Sequence, residues 1–309
     1  MITLESFAEV PAPVRGAYLA IGNFEGVHRG HAHLIGRLRA LADSAGAPAL
    51  ALTFDPPPVV VLRPEKAPAP LTWPERKVAL LKQAGATEVG VFQTGRWLLG
   101  LTAREFFDRV VLGQFAAKGM VEGPTFGFGR DRGGDAQLLG SWCAEAGLGF
   151  EIASPTDLDG QIISSSRIRR CLAEGQTDAA AELLGRPHRL RGVVVKGAGR
   201  GSGLGFPTAN LDQIETQVPA DGVYAARVFI DGQCMAHAAA VHIGPNATFG
   251  EQTRSVEVHL IDFQGDLYGR KLELDLLRRL RTTRKFDNVN DLLDQIQNDV
   301  DQAKALARS

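Results

Sequence analysis

Two hydrophobic periods divide this chain, and one sheet architecture cannot satisfy both. Through the first 185 residues, short apolar runs alternate with segments of helical period. AYLAIG (17–22), PALALTF (48–54), EVGVF (88–92), GMVEG (119–123) and GFEIA (149–153) read as strands. Strand–helix alternation predicts parallel strands whose faces are covered by helices. Thr72 with Glu75, and Thr102 with Glu105, have capping-box spacing. Gly85 and Gly113 stand where helices are expected to stop. After SSSRIRRCLAEGQTDAAAELLGRP, read as one or two helices ending at Gly185, the period becomes two. GVYAARVFIDG (222–232) and RSVEVHLIDF (254–263) alternate apolar and polar residues, which predicts an antiparallel sheet or small barrel. NVNDLLDQIQNDVDQAKALA forms a closing helix. The expected organisation is an α/β domain over residues 1–185 and a strand-rich domain over 186–309.

Charge narrows the partners. Lys and Arg total 34 against 35 for Asp and Glu, so no global field favours nucleic acid or a membrane surface. The one basic run, Arg278, Arg279, Arg281, Arg284 and Lys285, reads as a solvated face or as contacts to the barrel. Cys143, Cys171 and Cys234 are widely spaced, which fits reduced thiols in a cytoplasmic protein. No apolar run approaches the roughly 20 residues of a membrane span, and the N-terminus lacks a signal-peptide pattern. No feature of the sequence assigns an oligomeric state.

IGNFEGVHRGHAHLIGRLRALA (21–42) begins at the end of the first predicted strand and runs into a helix. Gly22, Gly26 and Gly30 allow close backbone approach to a ligand, and the helix start offers free N–H groups to phosphate. His28 and His31 form His-x-Gly-His. Two imidazoles placed there can donate to phosphoryl oxygens as charge develops. The competing readings are surface histidines beside a turn, or zinc ligands; placement after a strand among glycines favours the phosphate. In ISSSRIRR (163–170), serines can cap a helix while its first turn and an arginine hold an anion. The plainer reading is a capped basic surface helix.

The second half has its own candidates. VVVKGAGRGSGLGFPTANLD (193–212) carries Gly197, Gly199, Gly201, Gly203 and Gly205. It is neither a Walker A loop nor a dinucleotide fingerprint, but bare N–H groups make it a phosphate cradle or, alternatively, a linker. Thr208 and Asn210 offer oxygens two residues apart on an extended segment, suited to Mg²⁺ carrying nucleotide phosphates. Glu257 shares a strand face with His259, opposite Val256, Val258 and Leu260. It has the chemistry of a base for an alcohol phosphorylation, or it is a solvent-facing glutamate.

Together, GNFEGVHRGH and ISSSRIRR resemble the nucleotidyltransferases with His-x-Gly-His after the first strand. They resemble more closely the adenylyltransferase half of bacterial bifunctional riboflavin kinase/FAD synthetases. LLGRP, GFPTAN, PADGVYAARV, VEVHLIDF, DLYGR and LRRLRTTRKF resemble the riboflavin kinase half. The resemblance implies a Rossmann-like α/β nucleotidyltransferase domain and a six-stranded β-barrel with a C-terminal helix. It implies that Asn23, His28 and His31 contact ATP phosphates, with Ser164, Ser165, Ser166 and Arg169 in a second phosphate segment. It assigns Thr208 and Asn210 to Mg-ATP and Glu257 to the catalytic base. Riboflavin would become FMN, and FMN would become FAD, each with ATP.

Several positions depart from the family pattern. Pro57 replaces a histidine in TFDPPP, Thr125 an acidic or amide residue in EGPTFGFG, and Ser166 a threonine. His242 replaces asparagine and Ala247 proline in HIGPNATF; Thr283 replaces a glutamate, and Gly199 stands where a basic residue is common. Two rival readings follow: a riboflavin kinase with a decayed adenylyltransferase half, or a flavin- or nucleotide-binding regulator without turnover.

Overall fold

The computed structural model describes residues 1–7, 10–197, 205–245 and 253–308. Contacts group the chain into two compact units. One holds Met1–Pro68 and Trp73–Ile163; the other holds Ala69–Thr72 and Ser164–Ser309.

The first unit is built on β1 (Ile2–Leu4), β2 (Tyr18–Ile21), β3 (Ala49–Asp55), β4 (Glu88–Gln93), β5 (Gly119–Glu122) and β8 (Gly149–Ile152), ordered β1-β4-β3-β2-β5-β8. Every pair in this sheet is parallel. Helices α1 (Arg29–Ser44), α2 (Pro58–Leu62), α3 (Pro74–Gln83), α4 (Arg96–Leu99), α5 (Ala103–Phe106) and α6 (Ala136–Glu145) fill the connections. A short hairpin of β6 (Gly127–Phe128) and β7 (Gly134–Asp135) precedes α6, and β9 (Asp157–Leu158) pairs with β10 (Gln161–Ile162). Ile35, Leu38 and Ala42 recur at helical spacing along α1 and are fully buried, together with Ala51 and Val89 of the sheet. The other face buries Leu19, Leu50, Leu52, Phe92, Val110 and Met120. The five strands expected from the sequence are all present. The sixth, β1, has three residues at the sheet edge, too few to display a period.

The capping expectations divide. Thr102 accepts from Glu105 N, and the Glu105 side chain accepts from Thr102 N, a complete capping box. Thr72 does not cap α3. Pro74 takes the first helical position, which moves the cap to Trp73, and no side chain caps that end. Gly113 does not end its helix. Phe107–Gln114 is a π-helical turn that carries the helix past it, and Ala116 adopts the positive φ of 45°. Gly85, with φ +122°, stands one residue past the Ala84 C-cap of α3, and Gly185 ends its helix with φ 76°.

The second unit opens with α7 (Ser165–Ala173) and α8 (Thr177–Leu184). A closed barrel follows: β11 (His188–Val195), β12 (Ala209–Asp212), β13 (Gly222–Ile230), β14 (Ala236–Gly244), β15 (Ser255–Leu260) and β16 (Lys271–Arg281), ordered β11-β12-β15-β14-β13-β16. All six pairings are antiparallel. Leu190, Tyr224, Val228, Val241, Val258, Leu272 and Leu274 fill the interior. Closure removes the sheet edges that an open antiparallel sheet would expose. Helix α9 (Val289–Arg308) packs Val300 and Ala303 against Ala225 and Ile261. Arg281 and Arg284 of the basic run serve this packing, and Arg279 holds the start of β13. Arg281 pairs with the buried Asp299 at 2.8 Å, Arg284 donates to Gln295 at 2.6 Å, and Arg279 donates to the Asp221 carbonyl. All three cysteines are free, and burial pushes the Cys143 thiol up to about 11.

Candidate active sites

In the first unit, Gly22, Asn23, His28, Gly30 and His31 gather at the carboxyl end of β2. This strand has β3 on one side and β5 on the other, so the chain departs in opposite directions from it. Such reversal points leave a crevice beyond the strand ends, where ligands of open α/β sheets bind. The backbone turns sharply there: Phe24 has φ 44°, Gly26 φ 76° and Val27 φ 38°. Thr53 at the end of β3 donates to the Asn23 carbonyl at 3.3 Å.

His28 is buried and stands as N-cap of α1. Its Nδ1 accepts from His31 N at 3.4 Å, so a neutral ring carries its proton on Nε2, as a donor. The His31 ring stacks on it, with centroids 3.7 Å apart and planes at 18°, and meets the Phe24 ring edge-on at 5.3 Å. Gly30 lets the His28 ring lie close against the backbone. A Cβ there would lie 3.2 Å from the His28 ring. Two imidazoles, the first turn of α1 and its positive dipole end therefore converge on one spot, an arrangement suited to phosphoryl oxygens.

Two supports of this loop escaped the sequence reading. Glu25 pairs with Lys77 of α3 at 2.9 Å, with the lysine buried and the glutamate largely shielded from solvent. Breaking a buried ion pair by removing one partner costs about 3–5 kcal/mol, so Lys77 fixes the loop firmly. Glu122 ends β5 and is fully buried; one of its oxygens accepts from Ile21 N at 2.8 Å. Strands β2 and β5 pair from Tyr18 and Gly119 only as far as Leu19 and Met120, and the Glu122 carboxyl accepts from the Ile21 N–H beyond that point. A lysine and a glutamate inside apolar patterns give no signal in one dimension, because only the fold supplies their partners.

Burial raises the Glu122 carboxyl well above its ordinary range, opposed by the Ile21 N–H. The folded chain therefore holds a proton that the unfolded chain releases. The stability this contributes is present below the unfolded pKa and declines as pH rises towards the folded one. Glu122→Gln mimics the protonated acid at every pH. Its melting temperature should match wild type near about pH 4 and exceed it at about pH 8. Parallel pH dependences of the two proteins in thermal melts would contradict this.

Ser164, Ser165, Ser166 and Arg169 belong to the second compact unit. Ser164 is the N-cap of α7, and its hydroxyl accepts from Arg167 N at 3.2 Å. Ser165 is half-buried and Ser166 exposed. Arg169 donates to the Ala69 carbonyl at 3.3 Å.

The barrel places the other candidates in one row. Asn210 of β12 lies directly opposite Glu257 of β15. Val256 and Val258 are buried in the interior, so Glu257 and Asn210 project from the outer face, as the period of two predicts. Ser255 donates to Glu257 Oε1 at 3.2 Å. His259, on the same face, hydrogen-bonds the Pro207 carbonyl at 2.8 Å and fixes the segment leading into β12. Thr208 is exposed, one residue before that strand. Gly197 closes on Asn210 so tightly that a Cβ would stand 2.0 Å from its amide nitrogen. Gly199, Gly201, Gly203 and Ala247 lie outside the described residues. Of the remaining departures, Pro57 is the N-cap of α2, and the Thr125 carbonyl accepts from Arg132 at 3.0 Å.

The FAD synthetase family model matches residues 11–167, and the riboflavin kinase model matches 184–307. A Pseudomonas fluorescens protein named bifunctional riboflavin kinase/FMN adenylyltransferase is 38% identical over 293 residues, covering 95% of this chain and 94% of its own. Proteins of the same name from Escherichia coli K12 and Bacillus subtilis are 35% and 32% identical, covering 93% and 92% of this chain and 92% and 90% of their own. A solved structure described as a macrolide-efflux protein from Streptococcus pneumoniae shares the fold with a TM-score of 0.86 and 31% identity over 98% of both chains. No helix among the described residues is long and apolar enough to cross a membrane. With one family match on each half, in the order of full-length relatives, this chain belongs to the bifunctional riboflavin kinase/FMN adenylyltransferase family.

Proposed function

We propose that the chain makes FAD from riboflavin in two ATP-dependent steps, with the kinase in residues 186–309 and the adenylyltransferase in residues 1–185. The observation that carries the reading is the pairing of two built sites, the stacked His28–His31 cap at the end of β2 and the Asn210–Glu257 row on the barrel. In the first step the terminal ribityl hydroxyl attacks the γ-phosphorus of ATP. Glu257 accepts the hydroxyl proton, and ADP leaves.

Thr208 and Asn210 supply neutral hard oxygens, and Gly197 leaves room for the Asn210 amide. That donor set suits Mg²⁺ held jointly by protein and nucleotide, rather than a cage of side chains. The bound cation neutralises phosphate charge. Gly197 and Gly201 are assigned to the same phosphates.

In the second step an FMN phosphate oxygen attacks the α-phosphorus of a second ATP, and pyrophosphate leaves. This nucleophile is already anionic, so positioning and charge stabilisation suffice. His28 and His31 donate to the phosphoryl oxygens, with Gly22, Asn23 and Gly30 shaping the approach. Ser164, Ser165, Ser166 and Arg169 form the second phosphate segment. The intact histidine cap speaks against a decayed adenylyltransferase half, and the preserved Glu257 against a regulator without turnover. We place the protein in the cytoplasm, acting on these small molecules and not on nucleic acid or membranes.

The test is one incubation of the full chain with riboflavin, ATP and Mg²⁺, resolved by chromatography. FMN should appear first and FAD after it. Accumulation of FMN with no FAD would leave only the kinase, and absence of both would remove the reading.

A further inference from the structure

The row that carries Asn210 and Glu257 continues beyond the glutamate. On its other side, Glu257 lies opposite His242 of β14. His242 lies opposite Val223 of β13, which in turn faces Arg281 of β16. Directly opposed residues of an antiparallel ladder share a face, with Cβ atoms about 4.5–5.5 Å apart. Val241 and Ile243 are buried in the barrel interior, so His242 projects outward beside Glu257.

The Nδ1 of His242 is buried and has no hydrogen-bond partner among the described residues. Buried polar atoms are almost always paired in folded proteins, so this nitrogen, on the ring beside Glu257, carries hydrogen-bonding capacity that the described residues leave unused. The charged groups around the ring are Glu257, Arg281 and Asp221. Arg281 is engaged with Asp299 at 2.8 Å, and Asp221 with Arg254 at 2.7 Å. Burial holds the imidazole below its ordinary pKa, against the pull of the Glu257 carboxylate. A neutral imidazole offers one donor and one acceptor, and an alcohol hydroxyl complements either.

The order along the row assigns the sides. Asn210, proposed above to face the metal and nucleotide, flanks Glu257 on β12, and His242 flanks it on β14. An alcohol attacking in line must approach from the side away from the leaving phosphates. We propose that His242 is a specificity-determining residue of the kinase site, hydrogen-bonding a hydroxyl of the substrate's polyol chain next to the one that Glu257 deprotonates. The inference rests on the kinase reading of Glu257. The asparagine of related proteins at this position also offers a donor and an acceptor, so it can serve the same hydroxyl.

The test uses the full chain and separate KM values for riboflavin and ATP. His242→Leu should raise the riboflavin KM about tenfold, the effect of leaving one hydroxyl unpaired, with kcat and the ATP KM within about threefold of wild type. His242→Asn should keep the riboflavin KM within about threefold. An unchanged riboflavin KM in the leucine variant, equal rises in both KM values, or an asparagine variant as impaired as the leucine one would each overturn the proposal. A second measurement covers failure of the leucine variant to fold. In ¹⁵N-histidine-labelled wild type, the imidazole resonance that vanishes in His242→Asn should shift when riboflavin is added alone; an unmoved resonance would refute the contact. Loss of turnover in Glu257→Gln with a normal His242→Leu would remove this inference only. A wild-type chain that makes no FMN would remove the kinase reading and this inference with it.

Discussion

Replacing Glu257 with glutamine should lower FMN production by roughly 10²–10⁴-fold, the range associated with losing general-base assistance. The substitution keeps the size of the side chain and an oxygen that can accept from Ser255, which donates to Oε1 at 3.2 Å. It removes the charge and the basicity. Glu257 is half-buried on the outer face of a closed barrel whose interior is filled by Val256, Val258 and their partners, so the fold does not depend on its carboxylate. Stability should stay within about 0.5 kcal/mol of wild type, as for most substitutions away from a core. Riboflavin binding should change little, because the replacement is nearly isosteric. FMN adenylylation should persist, because its nucleophile carries its own charge. The measurement is each half-reaction assayed separately on protein checked by thermal melt. Near-normal FMN production would return Glu257 to the role of a solvent-facing residue on an amphipathic strand.

The complementary variant is His31→Ala, expected to slow FAD formation about 10²–10³-fold by analogy with removing one oxyanion donor. The ring to be lost stacks on His28 at 3.7 Å and touches Phe24 edge-on, so its removal also frees the His28 ring to move. His31→Gln separates the two effects. It restores a hydrogen-bond donor without the flat ring, so partial recovery would point to donation and none to stacking. The N-cap bond from His31 N to His28 Nδ1 uses the backbone and survives both changes. Kinase turnover should be untouched. Equal loss of both reactions in a folded variant would count against the placement of adenylylation at this helix start.

Much of this arrangement was legible in one dimension. The five longer strands of the first sheet announced themselves as apolar runs between helical segments, and β1 did not because three residues show no period. The period of two in SVEVHL put Glu257 and His259 on one face without ambiguity, because strand side chains alternate strictly. The Thr102–Glu105 box was readable because its bonds are local. The Thr72–Glu75 spacing misled, because Pro74 moved the helix start by one residue. Gly113 misled because a π turn changes the residue count per turn.

The sequence by itself indicated a parallel α/β half and a strand-rich antiparallel half, the histidine pair after the first predicted strand and the polar face of β15, because hydrophobic period and residue spacing are local properties of the chain. Tertiary structure alone decided which distant residues meet. Asn210, Glu257 and His242 form one row only because β12, β15 and β14 are neighbours in a closed barrel, an order that the chain order does not contain. Lys77 reaches Glu25, Glu122 reaches Ile21 N, and Arg281 reaches Asp299 for the same reason. Each of these polar groups is tolerated in a buried place because folding supplies its partner, and the free-energy cost of leaving it unpaired is what makes the partner necessary.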